Sequence, residues 1–153
     1  MNEQSLEIKT TIQISKPADE VFEAIADPAL MSGYFILKGS GRLEEGKTVM
    51  WQFPEWEFEF PVRAGKIEKD RYISFYWEND GYELLVEFTL NLVENGSTVV
   101  TVTEKGMKNN EAGIKWLAGN SAGWANFLAC LKAYLEYGIN LRKGAFDFMK
   151  ENK

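Results

Sequence analysis

The sequence predicts an α+β protein in which a curved antiparallel β-sheet wraps around a long C-terminal helix. Apolar residues alternate with a period of two from about residue 35 to residue 104, which is typical of strands with one buried face. The dipeptides Asp80-Gly81 and Asn95-Gly96 favour tight hairpin turns, so successive strands are predicted to pair as a meander. The period then returns to 3.6 residues, and only this last predicted helix is long enough to cover the sheet.

The first strand and two short helices are predicted before the meander. LEIKTTIQIS alternates and predicts a strand over residues 6–15. SKPADEVFEAIADP predicts a helix with Ser15 as its N-cap and Pro17 in its first turn, and Pro28 marks its end. ALMSGYF predicts a second short helix that closes at Gly33.

Six further strands are predicted between residues 34 and 104. The segments that separate them, LEEGK, FPEW, IEKDR, ENDG and VENGS, are rich in turn-forming residues. The predicted strands span residues 34–38, 48–53, 56–67, 72–78, 81–93 and 97–104.

The long helix is predicted from apolar residues three and four positions apart in NNEAGIKWLAGNSAGWANFLACLKAYLEYG. Trp124 and Leu131 lie on its apolar face, and Gly138 is placed to cap its C-terminus. In the tail INLRKGAFDFMKENK, Phe146 and Phe148 are predicted to dock on the rest of the protein. The small basic cluster LRKGAF in the same tail is predicted to be solvated.

The composition argues against nucleic acid as a partner. Seventeen Lys and Arg residues against 23 Asp and Glu residues give a net charge of −6. The segment WQFPEWEFEF, residues 51–60, is rich in aromatic rings, but Glu55, Glu57 and Glu59 lie between them and no basic residue does. Proteins that stack single-stranded bases place such rings in a positively charged groove, because phosphate contacts supply most of the affinity. We therefore expect no nucleic-acid binding.

The absence of histidine excludes several kinds of catalytic and metal site. Ser-His-Asp and Cys-His nucleophile systems cannot form, and the commonest zinc ligand is missing. The sequence also lacks a CxxC pair, so we expect no metal and no other cofactor. The single cysteine, Cys130, cannot form an internal disulfide and is predicted to be a packing residue rather than a reactive thiol.

The sequence predicts a soluble cytoplasmic protein. The N-terminal residues MNEQSLEIKTTIQIS contain no basic region followed by an apolar run, so we expect no signal peptide. No segment reaches the roughly 18 continuous apolar residues of a membrane-spanning helix, so we expect no membrane insertion. A lone cysteine is in keeping with a reducing compartment.

Four segments resemble one protein family across nearly the whole chain. They are ISKPADEVFEAIADP, ISFYWE, VENGSTVVTVTEKGM and GWANFLACLKAYLE. Together with the element order, they resemble the START/Bet v-like (SRPBCC) superfamily. Within it, they are similar to the bacterial family that resembles the C-terminal domain of the activator of heat-shock protein 90 ATPase. The resemblance implies one START-like domain over residues 1–153 with the helix-grip fold, a cavity between sheet and last helix, and no shared catalytic residues.

Alternation assigns the strand residues to the two faces of the sheet. In WEFEFPVRAG the glutamates are predicted to point outward and the phenylalanines inward, because an unpaired buried carboxylate is costly. The residues predicted to point inward are Val49, Trp51, Phe53, Phe58, Phe60, Val62, Ala64, Ile73, Phe75, Trp77, Leu84, Val86, Phe88, Leu90, Leu92, Val100, Val102 and Glu104.

The inward aromatic residues have two interpretations, a packed core and the wall of a ligand pocket. Burial in a core is the general tendency of aromatic rings. The pocket is favoured by the tryptophans, whose N–H needs a partner when buried, and by Gly113, Gly119 and Gly123, which leave room beside the helix for a strand or a ligand. The candidate ligand-binding residues are Trp51, Phe53, Phe60, Phe75, Trp77, Phe88, Glu104, Trp116, Asn120 and Trp124.

Three polar side chains are candidates for the pocket, and each has a structural alternative. Asn120 can instead bond a nearby backbone group, Glu104 can lie in solvent at a turn, and Tyr34 can cap the sheet edge. Glu104 is the only carboxylate predicted to point inward, and its sequence context offers no evident partner. General acid–base catalysis is therefore the weaker case, and no catalytic residue is assigned.

Three functions remain, in order of preference. The first is a binding protein that holds an apolar or amphipathic small molecule in the cavity. The second is a protein-interaction module like the chaperone activator, in which outward strand positions contact a chaperone partner. The third is a polyketide cyclase-like enzyme, since the resemblance includes relatives that shape a flexible substrate.

Overall fold

One sheet of seven antiparallel strands dominates the computed structural model, which describes residues 5–150. The strands are β1 (Ser5–Ile14), β2 (Lys38–Gly39), β3 (Thr48–Gln52), β4 (Phe60–Glu68), β5 (Tyr72–Asn79), β6 (Tyr82–Leu92) and β7 (Thr98–Lys108). The helices are α1 (Ala18–Ala26), α2 (Pro28–Met31) and α3 (Glu111–Tyr137), with 3₁₀ helices at Glu94–Gly96 and Asp147–Met149. The predicted α+β fold, a curved sheet with a long C-terminal helix and short helices after the first strand, is confirmed.

The strand order is β1-β7-β6-β5-β4-β3-β2, and all neighbouring strands are antiparallel. From β2 to β7 each strand pairs with the next one along the chain, which is the predicted meander. β1 pairs with β7, so the first and last strands lie side by side at one end of the sheet. Helix α3 follows β7 and packs on β1 and β7.

Helix α1 begins at Ala18, and extended Pro17 occupies its N-cap position. The prediction of Ser15 as the N-cap is therefore wrong. The backbone N–H of Ser15 donates instead to a carboxylate oxygen of Glu136 at 2.7 Å. This bond joins the end of β1 to the last turns of α3, a contact between residues too far apart in sequence for a local pattern to predict.

Helix α2 is a single turn that ends at Met31, with Asp27 as its side-chain cap. It does not extend to Gly33, and the predicted strand over residues 34–38 is wrong, since only Lys38 of that range lies in a strand, at the start of β2. The backbone N–H groups of Gly33, Tyr34 and Phe35 donate to the carbonyl oxygens of Leu30 and Met31, so these residues continue as turns and not as a strand. The turns lie close to α3, since a Cβ on Gly33 would lie 2.5 Å from the ring of Tyr134. Residues 32–35 form a turn that packs beneath the long helix.

A bulge in β7 sets which side chains near its end point inward. Between the pairs Leu6–Met107 and Glu7–Lys105 the register shifts, which leaves Gly106 as the extra residue of β7. Gly106 has φ +126°, and a Cβ there would lie 2.8 Å from the Glu83 carbonyl oxygen, so glycine is required. Both Glu104 and Met107 are buried on either side of the bulge.

Most of the residues predicted to point inward form a continuous core. Trp51, Phe75 and Phe88 are each at most 1% exposed. Two predictions of inward position are wrong, because Phe58 is 56% exposed and Leu92 is 67% exposed. Phe58 precedes β4, so alternation does not apply to it, and Leu92 is the last residue of β6.

No helix within residues 5–150 is both long and apolar enough to cross a membrane.

Helix α3, the longest, begins after its N-cap residue Asn110, whose side chain accepts a hydrogen bond from the Gly113 N–H at 2.8 Å. It ends at Gly138, whose φ of +66° is the left-handed conformation predicted for the C-cap.

Two glycines of α3 provide a test of how closely the helix packs on β7. A Cβ on Gly113 would lie 1.9 Å from the Lys108 carbonyl oxygen, whereas a Cβ on Gly119 would meet nothing within 4 Å. We expect Gly113→Ala to lower the free energy of unfolding by about 1–3 kcal/mol or more through overpacking. Gly119→Ala should raise it by up to about 1 kcal/mol, because alanine is the better helix former. Urea unfolding of both variants measures this, and equal stability of the two would contradict the close packing.

Candidate functional site

A cavity of about 560 Å³ lies between the sheet and α3. One wall is formed by the aromatic loop, defined as residues 53–59, together with the start of β4. Other walls are formed by the end of β5 with the turn after it and by α3 from residue 120 to residue 127. The C-terminal segment, defined as residues 139–150, contributes the last part of the lining. The cavity is therefore built from parts of the chain that are distant in sequence.

Aromatic rings form most of the cavity wall. Phe53 and Phe60 lie 5.1 Å apart between ring centroids, and Trp77 and Trp124 lie 5.8 Å apart across the junction of sheet and helix. At the rim, Trp56 and Phe58 stack with centroids 4.9 Å apart and ring planes 10° from parallel. Phe35, Phe127 and Phe146 also line the cavity. Such a wall presents flat apolar faces to whatever occupies the space.

The carboxylate of Glu104 lies behind this wall and is fully buried. Trp77 Nε1–H donates to Glu104 Oε2 at 2.7 Å. Trp124 Nε1–H and Asn120 Nδ2–H donate to Glu104 Oε1 at 2.7 and 3.1 Å. These three donors are the partners that the sequence context did not reveal, because they come from β5 and α3 and not from the neighbourhood of Glu104.

The three hydrogen bonds to Glu104 determine the polarity of the cavity. Trp77, Asn120 and Trp124 all line the cavity, but Glu104 itself does not. The indole N–H groups are turned away from the cavity toward the buried carboxylate. The wall is therefore held in one orientation and shows the apolar ring faces to the interior of the cavity.

An ion pair links the aromatic loop to the C-terminal segment. Arg142 donates from Nη1 to Glu55 Oε2 and from Nη2 to Glu55 Oε1, both at 3.0 Å. The side chains of Arg142 and Glu55 are only 13% and 7% exposed. The Arg142 guanidinium also lies 5.3 Å from the Phe53 ring and 5.1 Å from the Phe146 ring. The C-terminal segment is thus attached to the cavity by a bidentate pair that is largely removed from water.

The candidate residues from the sequence separate into two groups in the structure. Phe53, Phe60, Trp77, Asn120 and Trp124 line the cavity. The other five candidates lie outside the lining. Four of them belong to the packed core, namely Trp51, Phe75, Phe88 and Trp116, and the fifth, Glu104, is buried behind the cavity wall.

Trp116 lies about one helical turn before Asn120, the first residue of α3 in the cavity lining. It is buried, and its Nε1–H has no hydrogen-bond partner within residues 5–150.

The glycines of α3 have different roles. Gly113 allows the close approach of β7, whereas Gly123 lines the cavity and a Cβ there would meet nothing within 4 Å. Both interpretations of the helix glycines are therefore found in the structure: Gly113 packs closely against the end of β7, and Gly123 borders open space.

The sequence did not identify Glu55 and Arg142 as residues of the cavity lining. The cluster LRKGAF was predicted to be solvated, and this is wrong for Arg142, which is largely buried. Its partner lies 87 positions away, so no local pattern could identify the pair. In the same tail, Phe146 lines the cavity as predicted for a docking residue, but Phe148 is 82% exposed and does not dock.

Two further groups behind the wall are held in their protonated forms. Burial raises the pKa of Tyr34 well above its ordinary value, and its hydroxyl donates to the Ala24 carbonyl oxygen at 2.8 Å. Tyr34 therefore ties the turn after α2 to α1 and does not line the cavity. Burial also raises the pKa of the Cys130 thiol, which is 1% exposed and behaves as the predicted packing residue.

The chain is similar to one family over most of its length. The family model described as "Activator of Hsp90 ATPase homolog 1-like protein" matches residues 15–136. A comparison with curated proteins finds no match.

Solved structures from several sources share the fold. SSP2350 from Staphylococcus saprophyticus is 34% identical, with a TM-score of 0.78 over 90% of this chain and 96% of that chain. DynU16, from the dynemicin biosynthetic locus, is 25% identical, with a TM-score of 0.77 over 87% of this chain and 48% of that chain. The Aha1 dimer from Colwellia psychrerythraea is 21% identical, with a TM-score of 0.73 over 87% of this chain and 98% of that chain, which shows the fold alone.

Replacing Glu104 by glutamine tests the hydrogen bonds behind the wall. The amide of Glu104→Gln has the shape of the carboxylate, but its NH₂ group must face at least one of the N–H donors of Trp77, Trp124 and Asn120. We expect a loss of about 1–3 kcal/mol in the free energy of unfolding, since a buried donor loses its acceptor. In NMR spectra the indole N–H signal of Trp77 or Trp124 should move strongly.

The matched control is Glu83→Gln, which removes an exposed carboxylate that pairs with Arg63 at 2.8 Å. An exposed pair contributes at most about 1 kcal/mol, so this control should change stability little and leave both indole signals in place. If Glu104→Gln behaves like Glu83→Gln, then Glu104 does not hold the wall.

Replacing Arg142 by methionine tests the attachment of the C-terminal segment. Arg142→Met leaves Glu55 buried without its cation, and we expect the segment to detach so that Glu55 reaches water. Hydrogen exchange of the backbone amides of Ala145 and Met149 should accelerate at least about tenfold. Lys150→Met is the control, since it breaks an exposed pair with Asp147 in the same segment. Equal exchange rates in the two variants would show that the buried pair does not anchor the segment.

Proposed function

The chain belongs to the family of activator of Hsp90 ATPase homolog 1-like proteins, and an aromatic cavity open to solvent lies between its sheet and α3. We propose that it binds an apolar or amphipathic small molecule there. The observation that carries this proposal is the orientation of Trp77 and Trp124. Both rings line the cavity while both N–H groups bond Glu104 behind it. The polar edges are satisfied within the protein, so the ring surface that half-buried Trp77 and buried Trp124 present to the cavity is apolar.

The size and polarity of the cavity also support small-molecule binding. A volume of about 560 Å³ lies within the roughly 300–1,000 Å³ range of ligand pockets. Three uncharged amide side chains, Asn79, Asn120 and Asn126, belong to the lining. Apolar walls with a few polar groups are the usual design of such sites, because the apolar surface supplies affinity and the polar groups fix orientation.

The titratable groups buried behind the wall offer no general acid or base to the cavity, and the carboxylates of the lining are either paired, as Glu55 is with Arg142, or exposed, as Glu78 and Asp80 are. Glu104 accepts three hydrogen bonds and does not line the cavity. The hydroxyl of Tyr34 and the thiol of Cys130 are buried outside the lining, and burial raises the pKa of both groups. A general acid or base must come within hydrogen-bond reach of the substrate, and none of these three groups meets that condition.

The relatives provide weaker support. DynU16 comes from a biosynthetic locus, which is in keeping with small-molecule binding by this fold. The Colwellia psychrerythraea Aha1 structure shares the fold at 21% identity, so a chaperone partner for this chain rests on the family description. That partner is the second function to test.

The experiment is an NMR titration of ¹⁵N-labelled protein with a neutral aromatic probe, 1-naphthalenemethanol. We expect the indole N–H signals of Trp77 and Trp124 and the side-chain amide of Asn120 to shift. Gly123→Leu fills the cavity, since a side chain there enters open space, and it should weaken binding at least about tenfold. Gly119→Leu is the matched control on the same helix, because Gly119 also faces open space but does not line the cavity.

The outcomes distinguish the candidate functions. Equal binding by Gly123→Leu and Gly119→Leu would place the ligand elsewhere. If neither this probe nor a set of fatty acids and sterols moves a cavity signal, the proposal is wrong. Shifts at outward strand positions on addition of an Hsp90-type chaperone would then support the interaction module.

A further inference from the structure

Within residues 5–150, the charged residues of the cavity lining are Glu55, Glu78, Asp80 and Arg142. Resting on the proposed small-molecule function, we infer that the ligand is an organic cation, an ammonium group on an aromatic or other apolar body. The apolar body would lie among the rings, and the ammonium group would lie near Glu78 and Asp80. Three features of the cavity support this inference.

The first feature is that the charge of Arg142 is already compensated. Both of its Nη groups bond Glu55 at 3.0 Å, and both side chains are largely buried. A carboxylate or phosphate ligand that paired with Arg142 would displace Glu55 and leave that carboxylate without its cation in a site poor in water. Breaking a buried pair in this way is strongly unfavourable. The one basic residue that residues 5–150 contribute to the lining is therefore not available to an anion.

The second feature is that Glu78 and Asp80 have no such partner among the residues that the structure describes. Glu78 lies at the end of β5 and Asp80 in the turn that follows, with φ +57°. Both are exposed, and neither forms an ion pair with another residue of the described range 5–150. With Glu55 and Arg142 neutralising each other, the lining keeps an excess of negative charge. The net charge of −6 on the whole chain adds to the attraction for a cation.

The third feature is that the rings of the cavity already accept a cation. The Arg142 guanidinium lies 5.3 Å from the Phe53 centroid, 5.9 Å from the Phe35 centroid and 5.1 Å from the Phe146 centroid. Ring faces attract cations through their quadrupole, and tryptophan does so most strongly. Trp77 directly precedes Glu78, and Trp56 stacks with Phe58 at the rim. A ligand ammonium would therefore meet aromatic faces and carboxylates together.

The test uses three probes that share a naphthalene ring and differ in charge. They are 1-naphthylmethylammonium, 1-naphthalenemethanol and 1-naphthaleneacetate, each titrated at low and high salt by calorimetry and by NMR of the Trp77 and Trp124 indole signals. We expect the ammonium probe to bind at least about tenfold more tightly than the alcohol, and the acetate to bind most weakly. High salt should reduce the preference for the ammonium, since Glu78 and Asp80 are exposed and their charges are screened.

A pair of double variants locates the source of the preference. Glu78→Gln/Asp80→Asn keeps the shape of the rim and removes two negative charges, and asparagine tolerates the positive φ of position 80. It should bind the alcohol as the unmodified protein does and lose the preference for the ammonium. Glu7→Gln/Glu94→Gln removes the same charge from exposed positions outside the cavity lining and should keep the preference.

The outcomes for the charge of the ligand and for the proposed function are distinguishable. If the acetate binds most tightly, or if all three probes bind equally, the inference of a cationic ligand is overturned while small-molecule binding stands. If the two double variants lose the preference equally, the acidic rim is not its source and the inference is overturned. If no probe binds, the inference is overturned, and the proposed function is wrong as well if fatty acids and sterols also leave the cavity signals unmoved.

Discussion

The carboxylate of Glu104 lies between the sheet and α3, and it accepts hydrogen bonds from both. Removing a carboxylate from water costs several kcal/mol. The protein offsets this cost with three N–H donors, and Glu104 forms no ion pair within residues 5–150. Trp77 comes from β5, whereas Asn120 and Trp124 lie one turn apart on α3. Because all three must reach the same two oxygens, their bonds fix the position of the long helix over the sheet.

The position of α3 over the sheet separates the aromatic residues into a core and a cavity wall. Trp51, Phe75 and Phe88 are buried behind the wall, and the ring of Trp77 lies 5.1 Å from that of Phe75 and 5.8 Å from that of Trp124. Trp77 and Trp124 pack on the core rings of Phe75 and Phe88, so packing and hydrogen bonds together hold their orientation. A preorganised apolar surface loses less conformational entropy on binding than one that must order first.

The cavity also depends on the C-terminal segment, which forms part of its lining. Arg142 joins this segment to Glu55 of the aromatic loop, and its guanidinium rests on rings from both parts of the chain. A single side chain thus closes one side of the cavity and cancels one of its negative charges. The shape of the cavity and its charge are therefore coupled through the same ion pair.

Local patterns in the sequence determined most elements of this protein, but not the end of α2 or the position of β2, and they determined the face on which most strand side chains lie. Alternation assigned Trp51, Phe75 and Trp77 to the inner face, and Gly138 marked the end of α3, because strand pleating and helix caps depend on adjacent residues. The tertiary structure alone decided the partners of Glu104, the burial of Arg142 and the exposed position of Phe58. The partners of Glu104 and the burial of Arg142 depend on contacts between residues distant in sequence, and the exposure of Phe58 depends on where β4 begins. An apolar repeat of two or 3.6 residues encodes neither.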